Sequence, residues 1–180
     1  IKSSKKPIII SGGGVFYSNA MSELGSFAVK HNIPVTQTVM GYSTMKKDHS
    51  HFLGPIGGLG GKAANNLAKE TDLAICIGTK LADFTTGSWA NFENPDFKLI
   101  SINVARHDAN KHLAEAVIGD AKVSINDLSV ALGDWKSQES WYKKSQDELK
   151  SWNEYVDKES GPTNQEIPSY AHAVGAIYRN

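Results

Sequence analysis

The stretch KPIIISGGGVFYSN (Lys6–Asn19) carries an apolar run straight into three glycines. A strand that ends in such a turn can bring backbone N–H groups against a phosphate, which is the chemistry of dinucleotide binding. That chemistry needs the pattern G-x-G-x-x-G/A. The third small residue lets the next helix sit close to the strand, and an acid about 20 residues on accepts the ribose hydroxyls. Gly12 and Gly14 fill the first two positions, but Tyr17 occupies the third. The next β-type run ends in VTQTVMG (Val35–Gly41), with no acid in the ribose position. The residues therefore predict a turn that permits a sharp strand exit. Approach to a ligand's phosphates or to a neighbouring domain is the alternative.

Three more clusters follow β-type runs. GPIGGLGG (Gly54–Gly61) precedes a helical stretch, where free amides would face an anion; a flexible crossover is the favoured reading. The others are GTKLADFTTGSW (Gly78–Trp89) and NVARHDANKH (Asn103–His112). His107, Asp108 and His112, like the pair His49 and His51, are of metal-ligating type, yet an Asp and a His four apart are common on solvated helices. Cys76 stands alone inside LAICIG, so no disulfide framework exists and a buried, inert thiol is expected. No Ser–His–Asp or Cys–His arrangement is arguable. The expectation is a chain without catalytic or metal-binding residues of its own.

The elements that must position these clusters alternate. Short β-type runs occur at Pro7–Ser11, Ile33–Thr38, Asp72–Gly78, Phe97–Asn103 and Ala116–Asp120. Between them lie NAMSELGSFAVKHN, with Met21, Leu24, Phe27 and Ala28 on one stripe, the glycine-rich crossover Gly41–Gly61, and KAANNLAKE. AKVSINDLSVAL closes the series as a helix capped near Asp120, with Val123, Leu128 and Leu132 on its apolar side. This order predicts an α/β domain with a doubly wound, mostly parallel sheet over residues 7–133. Residues 134–158 predict a helical extension whose Trp135, Trp141, Tyr142, Leu149, Trp152 and Tyr155 pack on this domain or on a neighbour. Glu159–Pro168 reads as a linker, and Tyr170, Val174 and Ile177 recur at helical spacing to the last residues. With residues 1–6 polar and no initiator methionine, an internal piece of a longer protein is expected.

Lys+Arg and Asp+Glu are equal at 19 each among 180 residues, so the formal charge is zero and nothing predicts a nucleic-acid partner. No apolar run approaches the ~20 residues of a membrane span. A cytoplasmic protein is expected.

At these clusters the sequence resembles the central domain of thiamine diphosphate-dependent enzymes, the acetolactate synthase and pyruvate oxidase superfamily. KPIIISGGGV, LGPIGGLGG, DLAICIGTKLADFTTG, LISINVARHDANKH and VIGDAKVSINDL occur in the family's order over Lys5–Leu132. The resemblance implies that residues 1–6 lead from a pyrimidine-binding domain, and that 159–180 form the linker and first helix of a diphosphate-binding domain. Thiamine diphosphate and Mg²⁺ would be held by those outer domains and none by this chain, in a parent that is a homodimer or homotetramer.

Some central domains of the superfamily carry FAD or ADP. The corresponding groove here would involve Gly12, Gly13, Gly14, Gly60, Gly61, Gly78, Thr79, Lys80, Asp83 and Asn103. Lys80 stands where Arg is usual, Ala82 and Phe84 replace polar residues, and Ser101 and Asn103 replace aspartates that would accept ribose hydroxyls. Neutral acceptors bond more weakly than charged ones, so a vestigial or empty nucleotide groove is expected. The pairing of DFTTGSWANF with INVARHDANKH is most similar to the branch that hydrolyses a C–C bond in a trihydroxycyclohexane-dione ring in myo-inositol catabolism. An acetolactate synthase-like carboligase and a free-standing NAD- or nucleotide-binding module are the alternatives.

Overall fold

The computed structural model describes residues 1–180. Six strands form one parallel sheet: β1 (Pro7–Ser11), β2 (Val35–Gln37), β3 (Phe52–Pro55), β4 (Leu73–Ile77), β5 (Lys98–Asn103) and β6 (Glu115–Ile118). Their spatial order is β3-β2-β1-β4-β5-β6. The chain thus winds outward from β1 in one direction, returns, and winds outward from β4 in the other. That reversal is the switch point at which α/β sheets of this order bind ligands, beyond the carboxyl ends of the strands.

Both faces of the sheet are covered, which is why β1 and β4 are apolar at nearly every position. Alternation along β1 splits the core. Ile9 points with Val35, Ile75 and Ile102 toward α2 (Met21–His31) and α6 (Ala121–Leu132). Ile8 and Ile10 point with Ala74 and Cys76 toward α3 (Lys62–Glu70), and the short helices α4 (Asp83–Thr86) and α5 (Arg106–Ala109) follow β4 and β5. The stripe Leu24, Phe27 and Ala28 on α2 is buried as its spacing predicts, with Met21 half-buried at the end. Asp120 caps α6, its carboxylate accepting from Lys122 N and Val123 N. On α6 the buried stripe is Ala121, Ile125 and Leu132, with Leu128 partly buried; Val123 is 59% exposed and Ile125 only 1%. The expected Val123 lies on the wrong face because the i, i+4, i+7, i+11 series starts at Ala121.

β3 differs from the sequence expectation, which placed Phe52–Pro55 inside the glycine-rich crossover. It is short, contains Gly54 and Pro55, and exists because it pairs in parallel with β2 at Val35↔Phe52 and Gln37↔Pro55, with a register shift between them. Proline is acceptable on such an edge strand, where one side of the backbone has no ladder to serve.

Of the two packings open to the helical extension, the structure takes the return onto its own sheet. Helix α7 (Glu139–Glu159) lies against α3. Trp141 is buried in the α3-side core, and its indole Nε1 donates to Pro7 O at 2.8 Å. Lys144 and Lys6 both pair with Glu70, at 2.5 and 3.2 Å, and Asn66 Nδ2 donates to Glu148 Oε2 at 2.8 Å. His51 stacks on Tyr142 at 4.4 Å between ring centroids. The chain ends in α8 (Tyr170–Arg179), whose Ser169 cap and His172 form a reciprocal capping box. No helix is long and apolar enough to cross a membrane.

Candidate functional site

The three-glycine segment leaves β1 at the switch point and folds at once into a short helix, α1 (Gly13–Tyr17). The chain leaving β4 turns at Gly78 and Thr79 beside it. These two turns cross backbone on backbone. Gly12 N donates to Ile77 O at 2.8 Å and Gly14 N donates to Gly78 O at 2.9 Å. A Cβ on Gly14 would lie 2.6 Å from Gly78 Cα, and one on Gly12 would lie 2.4 Å from Gly78 O. Gly78 itself has φ +63°, and a Cβ there would meet Gly14 Cα at 2.6 Å. The glycines are thus explained by mutual contact. The N–H groups of Gly12 and Gly14, which would face a phosphate, are spent joining β1 to β4.

The crossing splits the switch-point crevice into two pockets, of about 430 and 230 Å³, both bordered by Gly14, Tyr17, Gly78 and Asn103. The larger one also meets Gly13, Thr79, Lys80 and Asp108, with Met40 and Phe84 as apolar wall. Tyr17, in the position where a nucleotide motif needs a small residue, is 83% exposed at the rim of both. Sequence reasoning missed Met40, Thr38 and Thr85 as lining residues. The tract VTQTVMG gave the place of Thr38 and Met40 at a strand end, and GTKLADFTTGSW that of Thr85, but nothing in either showed that they line one groove.

Asn103 and Ser101 occupy the positions expected to face a ribose. Asn103 is committed within the protein: its Nδ2 donates to Thr79 O at 3.2 Å and its Oδ1 accepts from Ala105 N at 3.0 Å. It fastens the β4 turn to β5. Ser101 is buried in register with Cys76, and its hydroxyl has no partner. Lys80 is exposed at the groove wall. Asp83 accepts from Ser88 Oγ at 3.1 Å. Asp108 pairs with Lys111 at 2.6 Å, which holds its carboxyl below the usual range.

Gly60 and Gly61 do not join this groove. Their segment is knitted to itself and to its neighbours. Gly57 N donates to Asn65 Oδ1, Gly58 N to Phe84 O, Gly60 N to Gly57 O and Gly61 N to Pro55 O, all at 2.8 or 2.9 Å. Asn65 Nδ2 returns a bond to Gly57 O at 3.0 Å. No amide of these four remains for an anion, and the Trp152 indole covers Gly61 at the start of α3. The segment is a bonded turn, neither an anion cradle nor a loose crossover.

Groups with reactive chemistry elsewhere are also structurally occupied. Cys76 is fully buried in β4, and burial pushes its thiol far up. His31 joins α2 to the segment after α6, with Nδ1 bonded to Trp135 O at 2.7 Å and Nε2 to Ser129 Oγ at 3.3 Å. His51 lies between Ser50 Oγ (2.9 Å) and Asn32 Oδ1 (3.3 Å). Asn32 Nδ2 donates to Glu139, so its Oδ1 is free to accept, and His51 Nε2 carries the proton. Burial, with His49 nearby, lowers the His51 pKa to about 4. His112 packs against Trp89 with the rings tilted by 59° and their centroids 4.6 Å apart. No three His, Cys, Asp or Glu side chains come together as a metal-ligand set.

Comparison with known proteins agrees with this architecture. Residues 1–128 match the family model described as "Thiamine pyrophosphate enzyme, central domain". A protein of Clostridium perfringens strain 13 named 3D-(3,5/4)-trihydroxycyclohexane-1,2-dione hydrolase is 44% identical over 154 residues, covering 86% of this chain and 24% of that protein. Proteins of the same name from Clostridium botulinum Eklund 17B and Bacillus anthracis are 41% and 36% identical over 88% and 97% of this chain. The chain spans about a quarter of the length of these relatives, at 24–29%. A parallel sheet wound as β3-β2-β1-β4-β5-β6, matched over most of its length, places this chain in the thiamine pyrophosphate enzyme family as a central domain.

Proposed function

We propose that the chain is the architectural middle domain of a thiamine diphosphate-dependent hydrolase that opens a trihydroxycyclohexane-dione ring by cleaving a C–C bond. The observation that carries this reading is the glycine crossing at the switch point, where a ligand-binding member of this topology would hold its phosphates. Here the N–H groups of Gly12 and Gly14, the Asn103 side chain and the N–H groups of Gly57, Gly58, Gly60 and Gly61 are bonded within the protein. The relatives' names supply the substrate class. Under this reading, thiamine diphosphate and Mg²⁺ bind to flanking domains of the parent, in a cytoplasmic homodimer or homotetramer. Residues 1–6 and 159–180 lead to those domains. The groove of Gly12–Gly14, Gly78–Lys80 and Asn103 is a nucleotide site that has lost its ligand.

The test compares the 180-residue chain with its full-length parent, each supplied with thiamine diphosphate, Mg²⁺ and the cyclic dione. Ring opening by the parent and none by the chain is the expected result. Turnover by the chain alone overturns the architectural role. A parent inert on the dione that instead condenses two pyruvates overturns the substrate assignment and makes it a carboligase.

A further inference from the structure

Large apolar side chains that face solvent ring the mouth of the switch-point crevice. Tyr17 on α1, Val39 and Met40 in the turn after β2, and Phe84 on α4 border the larger pocket, while Val104 after β5 borders the smaller one with Tyr17. Met40, Phe84 and Val104 are 74, 69 and 71% exposed. The backbone beneath this ring is held, so the exposure is built into the fold. Phe84 O accepts from Gly58 N at 2.8 Å, Gly41 N donates to Thr38 O at 2.9 Å, and Met40 O abuts Gly13, 3.0 Å from where a Cβ would stand. Single exposed apolar residues are ordinary, but several around one crevice mark an interaction surface. The charge there is basic. Of the two charged side chains on the lining, Asp108 is paired with Lys111, and Lys80 belongs to no ion pair.

The course of the chain says what covers this surface. Ile1 lies at the amino edge of the sheet, beside the starts of β4 and β5. Helix α7 begins at that edge, where Trp141 reaches Pro7 O, and runs to the carboxyl edge, where Trp152 lies over Gly61 and beside Pro55. There α8 rests on the loop that follows Met40: Lys47 Nζ donates to Tyr178 OH at 2.8 Å and stands 4.6 Å from the ring centroid. Chain continuing past residue 180 thus starts at the rim's own end of the sheet, and chain preceding residue 1 at the opposite end. The relatives extend well beyond the quarter of their length matched here. A second copy fits less well, because a two-fold contact sets the patch against itself and brings Lys80 toward Lys80.

We infer that Tyr17, Val39, Met40, Phe84 and Val104 form the seat of the folded domain that follows residue 180 in the parent. That domain presents an apolar surface with a carboxylate opposite Lys80, and it closes the crevice from water. The inference rests on the middle-domain reading above. The crevice then serves as a socket between domains, and Tyr17, too large for a nucleotide turn, is one of its contacts.

Hydrogen–deuterium exchange read by mass spectrometry compares the 180-residue chain with the full-length parent, both without substrate. Peptides covering residues 13–17, 38–42 and 82–87 should exchange at least tenfold more slowly in the parent. The double variant Met40→Asp/Phe84→Asp changes two exposed positions. It should keep the urea midpoint of the 180-residue chain and, in the parent, return those peptides to the rates of the isolated chain. Equal rates in chain and parent overturn the inference, as does protection that survives the double variant. Protection in the chain alone that grows with its concentration assigns the surface to a second copy and overturns it too. Exchange needs no turnover, so its result stands whatever the parent does to the dione. A gene product with no folded domain after residue 180 refutes the middle-domain reading, and this inference with it.

Discussion

Replacing Gly14 by Ala puts a Cβ 2.6 Å from Gly78 Cα and 3.1 Å from Gly78 O, backbone atoms that cannot rotate away. Either α1 or the β4 turn must shift, and the Gly14 N–H bond to Gly78 O at 2.9 Å lengthens with it. Overpacking of this kind costs about 1–3 kcal/mol. Gly78→Ala meets the same wall from the other side and adds the left-handed strain of φ +63°, for a total of about 2–5 kcal/mol. The whole fold is worth only about 5–15 kcal/mol, so both variants should be plainly weakened. Gly54→Ala is the control: its φ is +89°, but a Cβ there meets nothing within 4 Å, so only conformational strain applies. Because the two overlaps are one and the same, separating the turns for one Cβ makes room for the other. The Gly14→Ala/Gly78→Ala double variant should therefore cost less than the sum of the singles, with a coupling of about 0.5–3 kcal/mol. Urea unfolding followed by the fluorescence of the four tryptophans reads these differences as midpoints at constant slope. If Gly14→Ala and Gly78→Ala both stay within about 0.5 kcal/mol of the parent chain, the glycines are not there for contact and the reasoning fails.

Other perturbations test neighbouring parts of the account. Trp141→Phe leaves Pro7 O without its indole donor and should cost about 1–3 kcal/mol by urea unfolding, with loss of the near-UV signal of the docked α7. Asn103→Asp removes the donor to Thr79 O and should likewise cost about 1–3 kcal/mol, without creating ADP binding by calorimetry. Burial and His49 hold the His51 pKa at about 4, against 6.5 unfolded, so below pH 6.5 the unfolded chain takes up a proton that the folded one refuses. Stability is therefore complete above pH 6.5 and is lost as pH falls toward 4, by about 3 kcal/mol from this group at most. His31, lowered chiefly by burial, acts in the same direction, so His51→Gln should flatten the pH profile of unfolding only in part. Cys76 should react with a thiol reagent no faster than the chain unfolds, measured by labelling in rising urea.

The central strands were legible because β1, β4 and β5 carry runs of β-branched or apolar residues in a sheet covered on both faces. α6 was legible at its start through Asp120, though its face was misjudged by following Val123 instead of Ala121 and Ile125. β3 was not legible: FLGP has neither length nor alternation, and only its pairing with β2 makes it a strand. The incomplete phosphate motif was readable from Tyr17 and from the missing acid in VTQTVMG. What was not readable was the reason for the glycines. Contact between Gly14 and Gly78 joins residues far apart in sequence, and only the fold brings the two turns together. The same holds for Asn103, whose amide could be seen to replace an acid but not to bind Thr79 O.

Titration of the 180-residue chain with ADP, FAD and NAD in an isothermal calorimeter tests the central claim most directly. With the Gly12 and Gly14 amides bonded between β1 and β4, no heat of binding is expected from any of the three at millimolar concentration. Micromolar binding of ADP or FAD that Gly14→Ala or Asn103→Asp abolishes would contradict it, because the crossing would then be a ligand site and not a clasp.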